Sequence, residues 1–379
     1  MSIKTLSKKM LAIVAAGAMT MGLAMPTSVF AAEGKTTSEA YISKTFNTEV
    51  GKNESFSFKA EQNTTAEGLI HTVAAVTIPD ISFADTDKGT KTKREKVQFP
   101  NWTEAGKYEY TVTETVATPA ITDTKHQKMI MSQAEYTMDV YVSNGDSGLE
   151  ISNIIVNKKK GDNGKPETGK VNIGNTDENG FKFTNTYVQE AGTGTDPITP
   201  DPDYTTYGSL NVSKTIDANN GTLDTAKQFD FTATFTFPAG TDATTLGGVK
   251  GNGAAITINQ DGTYSFKLRT AESMKFTGVP VGTKISVVES ATPNYKGSAA
   301  VVINGTTQYP VTATKYDEAL TVSDKTLGQN KNTVDVTNTY NYVPTTGIIM
   351  NTLPYVLMIA LCGAALMAFV AFKRRRLQK

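Results

Sequence analysis

From residue 40 to residue 342 the chain is built of short runs in which apolar and polar residues alternate. Examples are "YEYTVTE" at 108–114, "YTMDVYV" at 136–142, "FDFTATFTF" at 229–237, "TYSFKL" at 263–268 and "TKISVVE" at 283–289. A period of two places the apolar members on one face of a strand. Threonine, valine, tyrosine and phenylalanine fill the runs, as a pleated, half-buried surface favours. Clusters of Gly, Asn, Asp and Pro separate them. No helical pattern of convincing length intervenes, so the expectation is an all-β chain folded as a sandwich.

The pattern breaks at "EAGTGTDPITPDPDYTT", residues 190–206. Three prolines with glycine and aspartate read as a short, fairly stiff connector. Its two flanks resemble one another: "AYISKTF" (40–46) matches "LNVSKTI" (210–216), "YTVTET" (110–115) matches "ISVVES" (285–290), and "FTNTY" (183–187) matches "VTNTY" (336–340). The order is the same in both halves, so one domain type is used twice.

Parity then isolates six polar residues. Ile42 shares a strand face with Lys44, and Leu210 and Val212 share one with Lys214. Tyr108, Tyr110 and Val112 share a face with Glu114, and Ile285 and Val287 with Glu289. Phe181 and Phe183 share one with Asn185, and Val334 and Val336 with Asn338. Each half thus aims an amine, a carboxyl and an amide at its core. Burial lowers a lysine pKa and raises a glutamate pKa, leaving a nucleophilic amine and a protonated acid. The amine can attack the asparagine carbonyl, with the acid assisting and ammonia leaving. The product is a Lys–Asn isopeptide bond, made once without turnover.

These residues in this order resemble the backbone (major) pilins of Gram-positive bacteria, of the T-antigen type with two stacked immunoglobulin-like domains. In that family a lysine of the first strand joins an asparagine of the last, assisted by a glutamate between them. The resemblance therefore implies tandem immunoglobulin-like sandwiches. It assigns Lys44, Glu114 and Asn185 to the first domain and Lys214, Glu289 and Asn338 to the second, with Glu114 and Glu289 catalytic.

Composition changes the picture at the ends. The 379-residue chain has 37 basic and 37 acidic residues. Lys4, Lys8 and Lys9 precede an apolar run ending near Pro26, and "VFA" precedes Ala32, the layout of a secretory signal helix over 1–31. Lys373, Arg374, Arg375, Arg376 and Lys379 follow an uncharged stretch, 348–372, long enough to be a transmembrane helix. Without those eight cations, 29 basic residues face 37 acidic ones, a net charge of −8 that argues against nucleic acid as a partner. The one cysteine, Cys362, lies in the apolar tail, so no disulfide is expected in the exported part.

"VPTTG", Val343, Pro344, Thr345, Thr346 and Gly347, stands just before the apolar stretch. With the span and basic tail it resembles a sortase signal, valine replacing the usual leucine, cut between Thr346 and Gly347. The expected divisions are signal 1–31, first domain 32–189, linker 190–206, second domain 207–342 and sorting signal 343–379. The implied partners are a sortase, other copies of the chain, accessory pilins, peptidoglycan and, on the host side, surface ligands. The implied location is the cell wall of a Gram-positive bacterium. A polymerising lysine is expected near the end of the first domain, among Lys158, Lys159, Lys160, Lys165, Lys170 and Lys182. Lys170 is favoured and Lys165 comes next. The alternative is a monomeric wall-anchored adhesin.

No nucleophile–base pair, phosphate loop or cofactor fingerprint appears, so neither a turnover enzyme nor a cofactor is expected. His71 and His126 form no metal pattern and are expected at the surface, "NTDENG" (175–180) reads as a turn, and Trp102 reads as part of a loop or domain rim.

Overall fold

The alternating runs become strands, as their period requires. The computed structural model describes residues 37–195, 202–342 and 345–376; the predicted signal segment, residues 196–201, Val343 and Pro344 lie outside the described residues. The first domain holds β1 (Tyr41–Thr48), β2 (Glu54–Asn63), β3 (Ile81–Phe83), β4 (Gly89–Lys96), β5 (Gly106–Thr118), β6 (Gln127–Ile130), β7 (Glu135–Gly145), β8 (Gly148–Lys160), β9 (Pro166–Val171) and β10 (Lys182–Gln189). After a six-residue helix, α1 (Pro202–Tyr207), the second holds β11 (Leu210–Asp217), β12 (Phe229–Thr236), β13 (Lys250–Gly251), β14 (Ala254–Ala255), β15 (Thr263–Leu268), β16 (Ser273–Thr277), β17 (Lys284–Glu289), β18 (Tyr295–Ile303), β19 (Thr306–Thr307), β20 (Val311–Thr312), β21 (Leu320–Thr326) and β22 (Thr333–Tyr340).

Each domain has two sheets. In the first, β4-β1-β10-β6 faces β3-β2-β5-β7-β8-β9; in the second, β14-β13-β16-β11-β22-β18-β19 faces β15-β12-β17-β21. The first core is rich in aromatic rings. Phe46, Phe56 and Phe83 meet at centroid distances of 5.1 to 5.9 Å, and Tyr136 packs on Phe181 and Phe183 at 5.0 and 5.3 Å. Edge and tilted contacts of this kind add to the burial of apolar area that holds the sheets together. The second core gathers Val212, Phe231, Phe235, Phe276, Val287, Val334 and Val336.

Two ladders set the function. The first and last strands of each domain are neighbours and run parallel, β1 with β10 and β11 with β22. All the other strand pairings among the described residues are antiparallel. The chain therefore enters each sandwich at one pole and leaves at the opposite one. β4, "GTKTKREK", flanks β1 on its other side despite having no apolar alternation. It is an edge strand, and its lysines discourage pairing with another sheet.

The connector begins docked rather than free. The Glu190–Pro280 bridge continues from β10, and Ala191, Gly192 and Gly194 donate backbone hydrogen bonds to the carbonyls of Val279, Gly328 and Gln329 at 2.8 to 3.1 Å. The buried Glu190 carboxylate accepts from Tyr204 Oη at 2.6 Å, Ser209 Oγ at 2.9 Å and the Gly278 N–H, and pairs with His126 Nδ1 at 2.7 Å. His126 is thus not a free surface residue as expected: its ring is tucked against Tyr204 at the junction, drawn in by a buried carboxylate that needs donors. Val50 packs against both cores. Trp102 lies on Tyr108, centroids 4.6 Å apart, at the rim of the first core.

The C-terminal helix α2 runs Thr345–Arg376, and its segment Tyr355–Arg374 has a mean hydropathy of 2.4, long and apolar enough to cross a membrane. The backbone of Thr345, Thr346 and Gly347 forms its first turn, whereas a motif read by a groove is expected to be extended. Helix propagates outward from the apolar span because each added residue gains a backbone hydrogen bond.

Candidate functional site

The structure brings each sequence-predicted trio together. In the first domain Lys44 is on β1, Asn185 on β10 beside it, and Glu114 on β5 in the facing sheet. Phe46 stands opposite Asn185 in the parallel ladder, so the asparagine is displaced two residues beyond Lys44 on the same face. The second domain repeats that offset, with Ile216 opposite Asn338 and Lys214 two residues earlier. Two independent registers with one offset place a lysine and an asparagine on one face of neighbouring strands in both sandwiches.

Contacts in the first site are close. Lys44 Nζ donates to Glu114 Oε1 and Oε2 at 2.8 and 2.9 Å, and both side chains are wholly buried. Asn185 Nδ2 donates to Glu114 Oε1 at 2.7 Å and to Met131 Sδ at 3.3 Å. Asn185 Oδ1 accepts from the Ser132 N–H at 2.7 Å. Lys44 Nζ also lies 4.2 Å from the Phe56 ring centre. In the second site Lys214 Nζ is 3.2 Å from Glu289 Oε1, Asn338 Nδ2 donates to that oxygen at 2.6 Å, and the Phe229 ring lies 4.1 Å from Nζ. Gly297 sits opposite Asn338 on β18, where a Cβ would come within 3.2 Å of Asn338 Oδ1.

Electrostatics follow from this burial. Desolvation pulls the Lys44 and Lys214 amines down to about 8, against the pull of their glutamates. Desolvation also pushes the Glu114 and Glu289 carboxyls above their ordinary value, opposed by the lysines. The dry surroundings therefore lower the cost of moving one proton from nitrogen to oxygen within each pair, the transfer that turns an ion pair into a neutral amine and a neutral acid.

A pH dependence follows. The ion pair and the reactive neutral pair carry the same number of protons, so the pair titrates as one unit. Below the carboxyl's step the amine is protonated and cannot attack; above the lysine's step, about 8, the carboxyl has no proton to give. Cross-linking is expected to proceed at a level rate between the two steps and to slow above pH 8, measured as the mass change of freshly folded chain against pH.

The expected acceptor lysines are scattered. Lys165 immediately precedes the outermost strand β9 and Lys170 is its penultimate residue, both exposed, and Lys182 is exposed at the start of β10. Lys158 and Lys160 pair with Glu167 and Glu135. Ser132 and Asp162 escaped the sequence reading: neither sits in an alternating run, and "GDNGK" carries only a turn signal. Among the described residues no cluster of metal-ligating side chains occurs.

Two family models match. Residues 40–188 match FctA, the Spy0128-like isopeptide containing domain, and residues 208–340 match a domain of unknown function, DUF7601. A comparison with curated proteins found no match. Among solved structures, the chain is similar to the major pilin of Streptococcus pyogenes, at 20% identity and a TM-score of 0.31 over 79% of this chain and 98% of the other. It is also similar to the T3.2 major pilin of the same organism, at 20% identity and a TM-score of 0.30 over 80% and 97%. Overlays this loose carry no functional weight. The first sandwich of this two-domain chain is thus similar, over residues 40–188, to the Spy0128-like isopeptide containing domain family.

Proposed function

We propose that the chain is the repeating shaft subunit of a covalently polymerised pilus on a Gram-positive cell surface, each sandwich stapled by a Lys–Asn bond of its own making. The observation that carries this is the doubled trio, a buried amine, acid and amide bridging first strand and last in both domains. Lys44 joins Asn185 and Lys214 joins Asn338, with Glu114 and Glu289 moving the proton. The apolar, base-tailed α2 retains the precursor while a sortase cuts after Thr346 and passes it to the next subunit or to peptidoglycan.

Topology guides the choice of acceptor. A straight filament joins the C-terminal pole of one subunit to the opposite pole of the next. Tyr41 N–H donates to Ile173 O, and Gly180 N–H to Asn172 O, so the chain just after Lys170 lies at the entry pole of β1. Lys165 lies lower, where Asp162 meets Thr184. Lys170 therefore remains first, and Lys182, paired with Ser43 near the same pole, displaces Lys165 as the runner-up.

Intact mass tests the staples: the exported chain is expected to be lighter than its sequence by two ammonias, with Glu114→Ala and Glu289→Ala each restoring one. Full sequence mass in the parent chain would end the cross-linking reading. Cell-wall extracts run in sodium dodecyl sulfate are expected to give a ladder of multimers that collapses with Thr346→Ala; a single band would favour the adhesin instead.

A further inference from the structure

Asn185 Oδ1 is not left to the trio alone. It accepts the Ser132 N–H at 2.7 Å, from the loop between β6 and β7. That loop is fastened on its far side by Asp162. The Ser132 hydroxyl donates to Asp162 Oδ1, Gln133 N–H donates to the Asp162 carbonyl at 3.0 Å, and Thr184 N–H donates to Asp162 Oδ1 at 2.9 Å. Thr184 is the residue just before Asn185. One carboxylate thus ties the donor loop to the strand that carries the amide.

This matters because of where charge develops. As Lys44 Nζ bonds to Asn185 Cγ, the carbonyl π pair moves onto Oδ1, making an oxyanion. The proton lost by Nζ passes through Glu114 to Nδ2. The Cγ–Nδ2 bond then breaks, Oδ1 recovers its double bond, and ammonia leaves. A fixed N–H aimed at such an oxygen in a dry site stabilises the intermediate more than the ground state. The second domain differs: Asn338 Oδ1 meets no hydrogen-bond donor among the described residues.

We propose that the Ser132 N–H is an oxyanion donor for the first-domain bond and that Asp162 is the positioning residue that aims it, a device the second domain lacks. This rests on the cross-linking reading above. The test is a time course of both bonds in the full chain, made by cell-free synthesis with detergent for the apolar tail, quenched and mapped by tryptic peptides. Asp162→Ala is expected to slow the 44–185 bond about tenfold or more and to leave the 214–338 bond of the same molecules unchanged. Asp162→Asn, which keeps the accepting oxygen, is expected to restore most of the rate. Ser132→Ala keeps the N–H but cuts the hydroxyl tie, and is expected to slow the same bond; it serves if Asp162→Ala does not fold. Emission from Trp102, the one tryptophan, packed on Tyr108, reports folding of the first sandwich. An unchanged rate in folded Asp162→Ala, or Asp162→Asn as slow as Asp162→Ala, would overturn the assignment. Absence of both bonds from the parent chain would remove the cross-linking reading and this assignment with it.

Discussion

Pulled by its two ends in a single-molecule experiment, the cross-linked chain is expected to show no step from either sandwich up to the rupture of its tether. Force is expected to enter the first domain at β1, cross from Lys44 to Asn185 and leave along β10, with residues 45–184 carrying none of it. The second domain repeats the path from Lys214 to Asn338. In the doubled Glu114→Ala, Glu289→Ala chain the parallel ladders β1–β10 and β11–β22 are sheared directly. Each domain then gives way as one unit. The released lengths are expected to be about 500 Å for the first domain and about 400 Å for the second, from roughly 3.5 Å per extended residue over the segments the bonds enclose. Steps of those lengths in the parent chain would show that the strands are not joined.

Heating provides the second large effect. A bond between Lys44 and Asn185 closes most of the first domain into a loop. By the chain-entropy relation for cross-links, it removes unfolded-state freedom worth about 5 kcal/mol. Glu114→Ala is expected to lower the first sandwich's Tm by about 10–20 °C and to leave the second's in place, read by calorimetry with Trp102 emission marking the first transition. The substitution also strands Lys44, a wholly buried amine, without its partner. A Lys44→Met, Glu114→Leu chain removes the bond and the charges together, so its Tm separates the two contributions. If that chain melts with the parent, loop closure is not what stabilises the domain.

The trios were readable because alternation makes a polar residue conspicuous where core side chains belong. Lys44, Glu114 and Asn185 each break an otherwise apolar face, and the second half repeats the break. β4 was unreadable for the opposite reason: its eight residues have no apolar face, and only β1 beside it makes them a strand. Small pieces such as β13, β14, β19 and β20 owe their existence to their pairing partners. Ser132 reaches Asn185 through its backbone N–H, which leaves no mark on residue identity. The docking of Glu190 with His126, Tyr204 and Ser209 joins positions up to 83 residues apart in sequence, beyond the reach of any local pattern.

The shared direction of first and last strands has one more consequence. A domain whose termini emerge side by side adds girth when it is duplicated, whereas one whose termini emerge at opposite poles adds height. Copying such a unit lengthens a rod without redesigning its joints at either end. Reach away from a cell then becomes a matter of how many copies a gene holds and how many subunits are strung together.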